Sequence, residues 1–174
     1  MQARTTATGG TSQRATAGLY TPEERVRRDT SVWTLVQGIL APVQFLIFVV
    51  SLVLVLRYLA TDEGAYAATV SVIVKTVALY TIMITGSIWE KVVFGKWLFV
   101  PAFFWEDVFS MLVLALHTAY LVALGWGLLG ERALMLLALA AYITYVINAG
   151  QFVWKLRAAR LQAASESPMQ AVAA

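Results

Sequence analysis

Four ionisable side chains stand inside runs that are otherwise apolar: Lys75, Glu106, Asp107 and His117. A fifth, Glu90, stands at the edge of another such run. Ionisable groups are rare and costly in these surroundings, so each is a candidate for chemistry. Glu106 and His117 lie eleven residues apart, with Ser110 between them and Tyr120 extending the line. On a helix eleven residues return to within about 20° of the starting direction, so these side chains form one polar stripe. Asp107 is turned about 100° from it and is expected off the stripe. His117 would lie about 16 Å along the axis from Glu106. Only a long substrate or a chain of water could touch both.

Asn148, Gln151 and Lys155 repeat the pattern at three- and four-residue spacing, with Tyr145 on the same side. The segments WEK (89–91) and WED (105–107) flank a short connection. On antiparallel helices they can face each other and make a pocket rich in acids and aromatic rings. A carboxyl group in an apolar pocket holds its proton more tightly and can act as a general acid. Two neighbouring carboxyls push their proton affinities apart, which suits an acid–base pair. Plainer readings stand beside these. Glu90 and Asp107 could be interface charges paired with Lys91 or Lys96. His117 could be a structural hydrogen-bonding residue or an axial ligand of a tetrapyrrole metal, although no second histidine exists for a bis-histidine haem. Lys75 could pair with an acid or extend its ammonium to the outer face. Asn148 and Gln151 could join helices rather than hold substrate.

The elements that position these residues follow from composition. The 174 residues are 60% hydrophobic and 13% charged, about half the charge of a soluble domain, which points to an integral membrane protein. Four segments have the roughly 20 apolar residues a helical span needs: 32–58, 66–89, 103–126 and 133–154. Inside lipid the backbone must satisfy its own hydrogen bonds, so the spans are helices and the fold is all-α. Residues 19–161 form the membrane domain. Residues 1–18, rich in Thr, Ala and Gly, are expected to be disordered and lack a signal-peptide pattern; residues 162–174 are expected to be a flexible tail.

Thr21-Pro22-Glu23-Glu24 carries a helix-start signature and predicts a short surface helix before the first span. Pro42 is expected to kink that span, and Pro101 to start the third. Lysine and arginine gather in the N-terminal segment, the 90–102 loop and the C-terminal flank. That places both termini and this loop in the cytoplasm. All six tryptophans fall near span ends, as interfacial anchors do. The absence of cysteine excludes disulfides, thiolate metal sites and cysteine nucleophiles. No glycine-rich dinucleotide fingerprint or nucleic-acid motif is present. The basic ends suit anionic lipid headgroups instead.

Three runs carry a specific resemblance: DTSVWTLVQGILAPVQFLIF (29–48), KTVALYTIMITGSIWEKVVFGKWLFVPAFFWEDVFSMLVLALHTAYL (75–121) and YVINAGQFVWKLRAARL (145–161). They resemble the 3-vinyl (bacterio)chlorophyllide hydratases of bacteriochlorophyll synthesis, over about residues 19 to 161 and without departure in these runs. The resemblance implies a lyase without a cofactor, in the cytoplasmic or intracytoplasmic membrane of a phototrophic bacterium. It would add water to the 3-vinyl group of chlorophyllide a or a related magnesium tetrapyrrole, giving a 3-(1-hydroxyethyl) group. Its surroundings would be membrane lipids and other enzymes of the pathway, not nucleic acid.

Protonation of the terminal vinyl carbon leaves a cation beside the macrocycle, where water then attacks. Such chemistry needs an acid, a base and surroundings that favour the cation. With that substrate, Glu106 is the expected general acid, and Glu90 or Asp107 its partner or the base. Ser110, Asn148 and Gln151 would hold water or pigment carbonyl groups. His117 would ligate the substrate's magnesium or serve as an alternative acid; the protein supplies no metal of its own. Trp89, Phe104 and Trp105 would stack on the ring, and Lys91, Lys96 or Lys155 would pair with the propionate. Two rivals remain. One is a non-catalytic tetrapyrrole-binding membrane protein built on His117 and its aromatic neighbours. The other is a small four-helix transporter with Lys75, Glu106 and His117 as a relay. The transporter is disfavoured because the polar residues are expected to gather toward one membrane face rather than cross the midplane.

Overall fold

The computed structural model describes residues 19–172, with side chains as far as Leu161. The segment 1–18 and the side chains of the tail after Leu161 lie outside the described residues. Among the described residues every regular element is helical. Helix α1 covers Pro22–Thr30 and α2 covers Val32–Thr61. Helix α3 covers Ala65–Phe94, α4 Phe104–Gly125 and α5 Glu131–Val172. Helices α2, α3, α4 and the Glu131–Leu161 part of α5 are long and apolar enough to cross a membrane. Helices α3 and α5 exceed the expected spans at both ends and α2 at its C-terminal end only; α4 starts and stops one residue inside its expected span. The 30 residues of α2 make a rod of about 45 Å, longer than the ~30 Å hydrocarbon layer. Its outer side chains Val32, Leu35, Ile39, Val43, Leu46, Val50 and Val53 are exposed, as a lipid-facing surface would be.

The start of α1 follows its sequence signature. The Thr21 side chain accepts from the Glu24 backbone N–H, and the Glu24 carboxylate accepts from the Thr21 N–H at 2.8 Å. Just before it, Tyr20 is buried against Phe94 with the rings stacked at 5.7 Å, and the Arg28 guanidinium lies over the same ring. Burial holds the Tyr20 hydroxyl above the usual phenol range. Pro42 lies within α2, which is helical on both sides of it. Pro101 lies in the turn before α4 rather than in its first turn.

The helices pack as two hairpins, α2 with α3 and α4 with α5. Polar side chains fasten the first: Gln37 donates to Thr85 at 2.7 Å, Trp89 to Thr34 at 2.9 Å, and Ser51 and Ser71 share a bond of 2.7 Å. Ser51 also shares a 2.6 Å bond with Tyr142, tying α2 to α5. At the same end, Arg132 bonds Asp62 at 2.9 Å. The buried core has two parts. One lies toward this end, with Phe48, Val55, Val72, Tyr120, Met135 and Tyr142. The other, with Tyr20, Val93, Val100 and Phe103, packs beneath the 95–103 loop.

A carboxyl cluster beneath the 95–103 loop

The short connection from α3 to α4 builds the site. Helix α3 ends on Gly95 in a left-handed conformation (φ 79°), which lets the chain turn sharply. Phe99 is also left-handed (φ 56°), a conformation that is strained for an aromatic residue. Its N–H donates to Asp107 Oδ2 at 2.7 Å, so the first turn of α4 holds the loop in place. This anchors Asp107 opposite α3. There its carboxyl meets that of Glu90 within hydrogen-bond reach. Both are buried, Asp107 to 3% and Glu90 to 6% exposure. Oε2 of Glu90 finds no donor among the described residues.

Glu106 points to the other side of α4, toward α5. Lys155 donates to its Oε2 at 2.7 Å and lies over the Phe103 ring at 5.1 Å. Asn148 donates to Ser110 Oγ at 2.8 Å and to the Glu106 backbone carbonyl at 3.1 Å. Phe103 is buried, stacked on Phe152 at 5.8 Å and edge-on to Trp89. Beside Glu106 a cleft of about 460 Å³ opens between α4 and α5, lined by Gly150, Gln151, Trp154, Lys155 and Ala158. Gln151 Oε1 is buried there without a partner among the described residues.

Glu90 thus meets Asp107, and Ser110 lies on the side of Glu106, as the sequence suggests; Asn148, Gln151 and Lys155 share a face as expected and close on Glu106 from α5, where Lys155 bonds the carboxylate it was not expected to meet. Asp107 is off the stripe of Glu106, Ser110 and His117, but α3 covers that side and buries it. The reading of Glu90 and Asp107 as charges paired with Lys91 or Lys96 does not hold. Lys91 donates to the Gly95 carbonyl at 2.9 Å, and Lys96 is exposed. Phe104 and Trp105 point outward and are exposed, away from the carboxyls. Trp89 is bound into the Phe94–Phe103 cluster by its rings and by its N–H. Phe103, Phe152, Tyr20 and the Phe99 N–H complete the site without having been singled out. Only the position of Phe103 two residues before WED hinted at its role.

His117 lies deeper and is 1% exposed. Its Nδ1 is 2.8 Å from the Val113 carbonyl and carries the proton that bonds it, so Nε2 keeps its lone pair. That nitrogen, the one a magnesium ligand would use, has no partner among the described residues. Lys75 is wholly buried rather than extended to a surface, and no acid pairs with it among the described residues. Helices α4 and α5 enclose it, and its Nζ lies over the Tyr145 ring at 3.9 Å. Buried polar groups therefore do not gather at one face. Lys75, His117, Ser51 and Tyr142 continue the polar interior past the middle of the bundle, so that objection to a relay falls.

Fold and site together define a multi-pass helical membrane protein with a buried carboxyl pair under one inter-helical loop. The comparisons then specify it: the chain belongs to the 2-vinyl bacteriochlorophyllide hydratase family, whose family model matches residues 20–158. It is 70% identical over 148 residues to the 2-vinyl bacteriochlorophyllide hydratase of Rhodobacter capsulatus, covering 85% of this chain and 86% of that protein. It is 69% identical over 143 residues to the protein of the same name from Cereibacter sphaeroides, covering 82% and 89%. No solved structure matches the chain significantly.

Proposed function

We propose that this protein adds water to the vinyl group of a bacteriochlorophyllide-type pigment, with the Glu90–Asp107 pair supplying the proton. The observation that carries the role assignment is the meeting of these two buried carboxyls across the α3–α4 seam. Two bare carboxylates in contact repel each other, so such a pair holds one proton between them. Delivered to the terminal vinyl carbon, that proton leaves a cation on the carbon attached to the macrocycle. Water attacks this carbon, its surplus proton returns to the pair, and the cycle closes without a redox partner.

The ion pair changes the role expected for Glu106. Bonded to Lys155, it serves better as a fixed negative charge beside the developing cation than as the proton donor. Asn148 and Ser110 then hold the attacking water or a pigment carbonyl. The cleft beside Gly150 and Gln151 opens sideways between helices, so a flat apolar pigment can enter from the lipid. The carboxyl end faces the cytoplasm of a bacterial inner membrane, by the lysine and arginine distribution. Membranes carrying the protein, incubated with a vinyl-bearing chlorophyllide, should form a product one water heavier. Glu90→Gln membranes with the same amount of inserted protein should not. Full turnover by that variant removes the pair from the mechanism, and pigment binding without any product favours a non-catalytic carrier.

A further inference from the structure

The carboxyl cluster leaves Lys75 unexplained. It is the eleventh residue of α3, about 15 Å into the bundle. Its Nζ has no hydrogen-bond partner among the described residues and only the Tyr145 ring face at 3.9 Å. His117 packs against Tyr142 at 5.9 Å between rings, one turn along α5 from Tyr145, and its Nε2 lone pair is equally unpartnered among the described residues. A buried amine and a buried acceptor against the same face of α5, both unsatisfied, are expensive inside a membrane unless a ligand completes them. The other lysines near the site are engaged or exposed: Lys155 with Glu106, Lys91 with a carbonyl, Lys96 at the surface.

We propose that Lys75 and His117 form a second binding site, for a carboxylate arm of the pigment, deep in the bundle and separate from the carboxyl pair. The inference rests on the hydratase reading, because it takes its ligand from that substrate class: a chlorophyllide is a free acid. An incoming carboxylate pairs with the Lys75 ammonium. A remaining ammonium N–H then donates to His117 Nε2, so one ligand satisfies both orphaned atoms. Whether the proton starts on the amine or on the acid, the resulting pair is the same. Along α4, His117 lies about 15 Å from Asp107. A rigid macrocycle with an extended acid arm can meet both sites, presenting its vinyl edge to the carboxyls. Tyr145 is half-buried, packs against Phe48 at 4.9 Å and covers Lys75. Its ring is the piece that moves aside on entry.

The test compares a vinyl-bearing chlorophyllide with its methyl ester, by quenching of pigment fluorescence on the purified protein in detergent. Wild-type protein should bind the acid roughly tenfold or more tightly than the ester, the scale of a buried charge contact. Lys75→Met should lose that preference while binding the ester as the parent does, which also reports an intact fold. Lys75→Arg should keep much of it. Equal binding of acid and ester by wild-type protein overturns the proposal without use of any variant. So does a preference that survives Lys75→Met, or one abolished instead by Lys155→Met, which would put the carboxylate at the surface. Wild-type protein that hydrates the pigment yet ignores esterification removes only this site. Wild-type protein that hydrates neither form overturns the hydratase reading beneath it.

Discussion

Asp107→Asn separates the structural duty of Asp107 from its chemical one. The aspartate accepts the Phe99 N–H at 2.7 Å and faces Glu90. An asparagine keeps the oxygen for Phe99 and offers an N–H to Glu90, so the hydrogen bonds survive. Stability should change by no more than about 1 kcal/mol. The proton shared by the pair is gone, however. General acid catalysis is worth about 100- to 10,000-fold, or about 2.7 to 5.5 kcal/mol on the barrier. Asp107→Ala is different. It strands the Phe99 N–H, at roughly 1–3 kcal/mol, and removes the carboxyl that holds the 95–103 loop on α4. The alanine variant should therefore melt earlier and lose turnover, whereas the asparagine variant should lose turnover alone. Thermal unfolding in detergent and a spectroscopic hydration assay at saturating pigment measure the two effects. Because Glu90→Gln removes the same shared proton, Glu90→Gln/Asp107→Asn should be no slower than the worse single variant. An asparagine variant with near-parental turnover, or strictly multiplicative losses, would refute the shared-proton mechanism.

Other perturbations report on the neighbouring groups. Glu106→Gln should insert normally and leave Lys155 without its counterion. Hydration should fall about tenfold or more, with pigment binding retained; unchanged turnover in the hydration assay would remove its electrostatic role. Gly150→Leu should fill the cleft, since a Cβ there meets nothing within 4 Å. A several-fold rise in KM with little change in kcat is expected, and an unchanged KM would mean that the pigment enters elsewhere. His117→Ala should weaken binding of magnesium-containing and metal-free pigment alike, because its free nitrogen completes Lys75. A loss confined to the magnesium form, read by fluorescence titration, would place that nitrogen on the metal instead.

The four spans, the start of α1, the shared stripe of Glu106 and Ser110 and the shared face of Asn148, Gln151 and Lys155 were legible from the chain. Each depends on local chemistry: apolar length, a capping box, and three- and four-residue spacing. What was not legible depends on how each helix is rotated about its own axis. Helix α2 is apolar around nearly its whole circumference, so no face announces the core, unlike a soluble amphipathic helix. The burial of Asp107 needed the position of α3. The pairing of Lys155 with Glu106 needed α5, forty-nine residues onward, and it altered which acid best donates a proton. Lys75 appeared able to extend to a surface because its stem is long, but α4 and α5 close over it. The Phe99 N–H had no signal at all, since a backbone donor to a distant carboxylate is invisible in side-chain identities.

The two-hairpin packing bears on how the protein is made. Thr85 with Gln37, and Ser71 with Ser51, join α2 to α3. Asn148 and Lys155 join α4 to α5 through Ser110 and Glu106. Each hairpin can enter the bilayer as its own unit before the two associate. Glu90 travels with the first and Asp107 with the second, so neither unit alone carries the proton-sharing pair. On the proposed shared-proton mechanism the half-inserted chain is therefore chemically silent, and a reactive pigment cation forms only after the whole bundle has assembled around it.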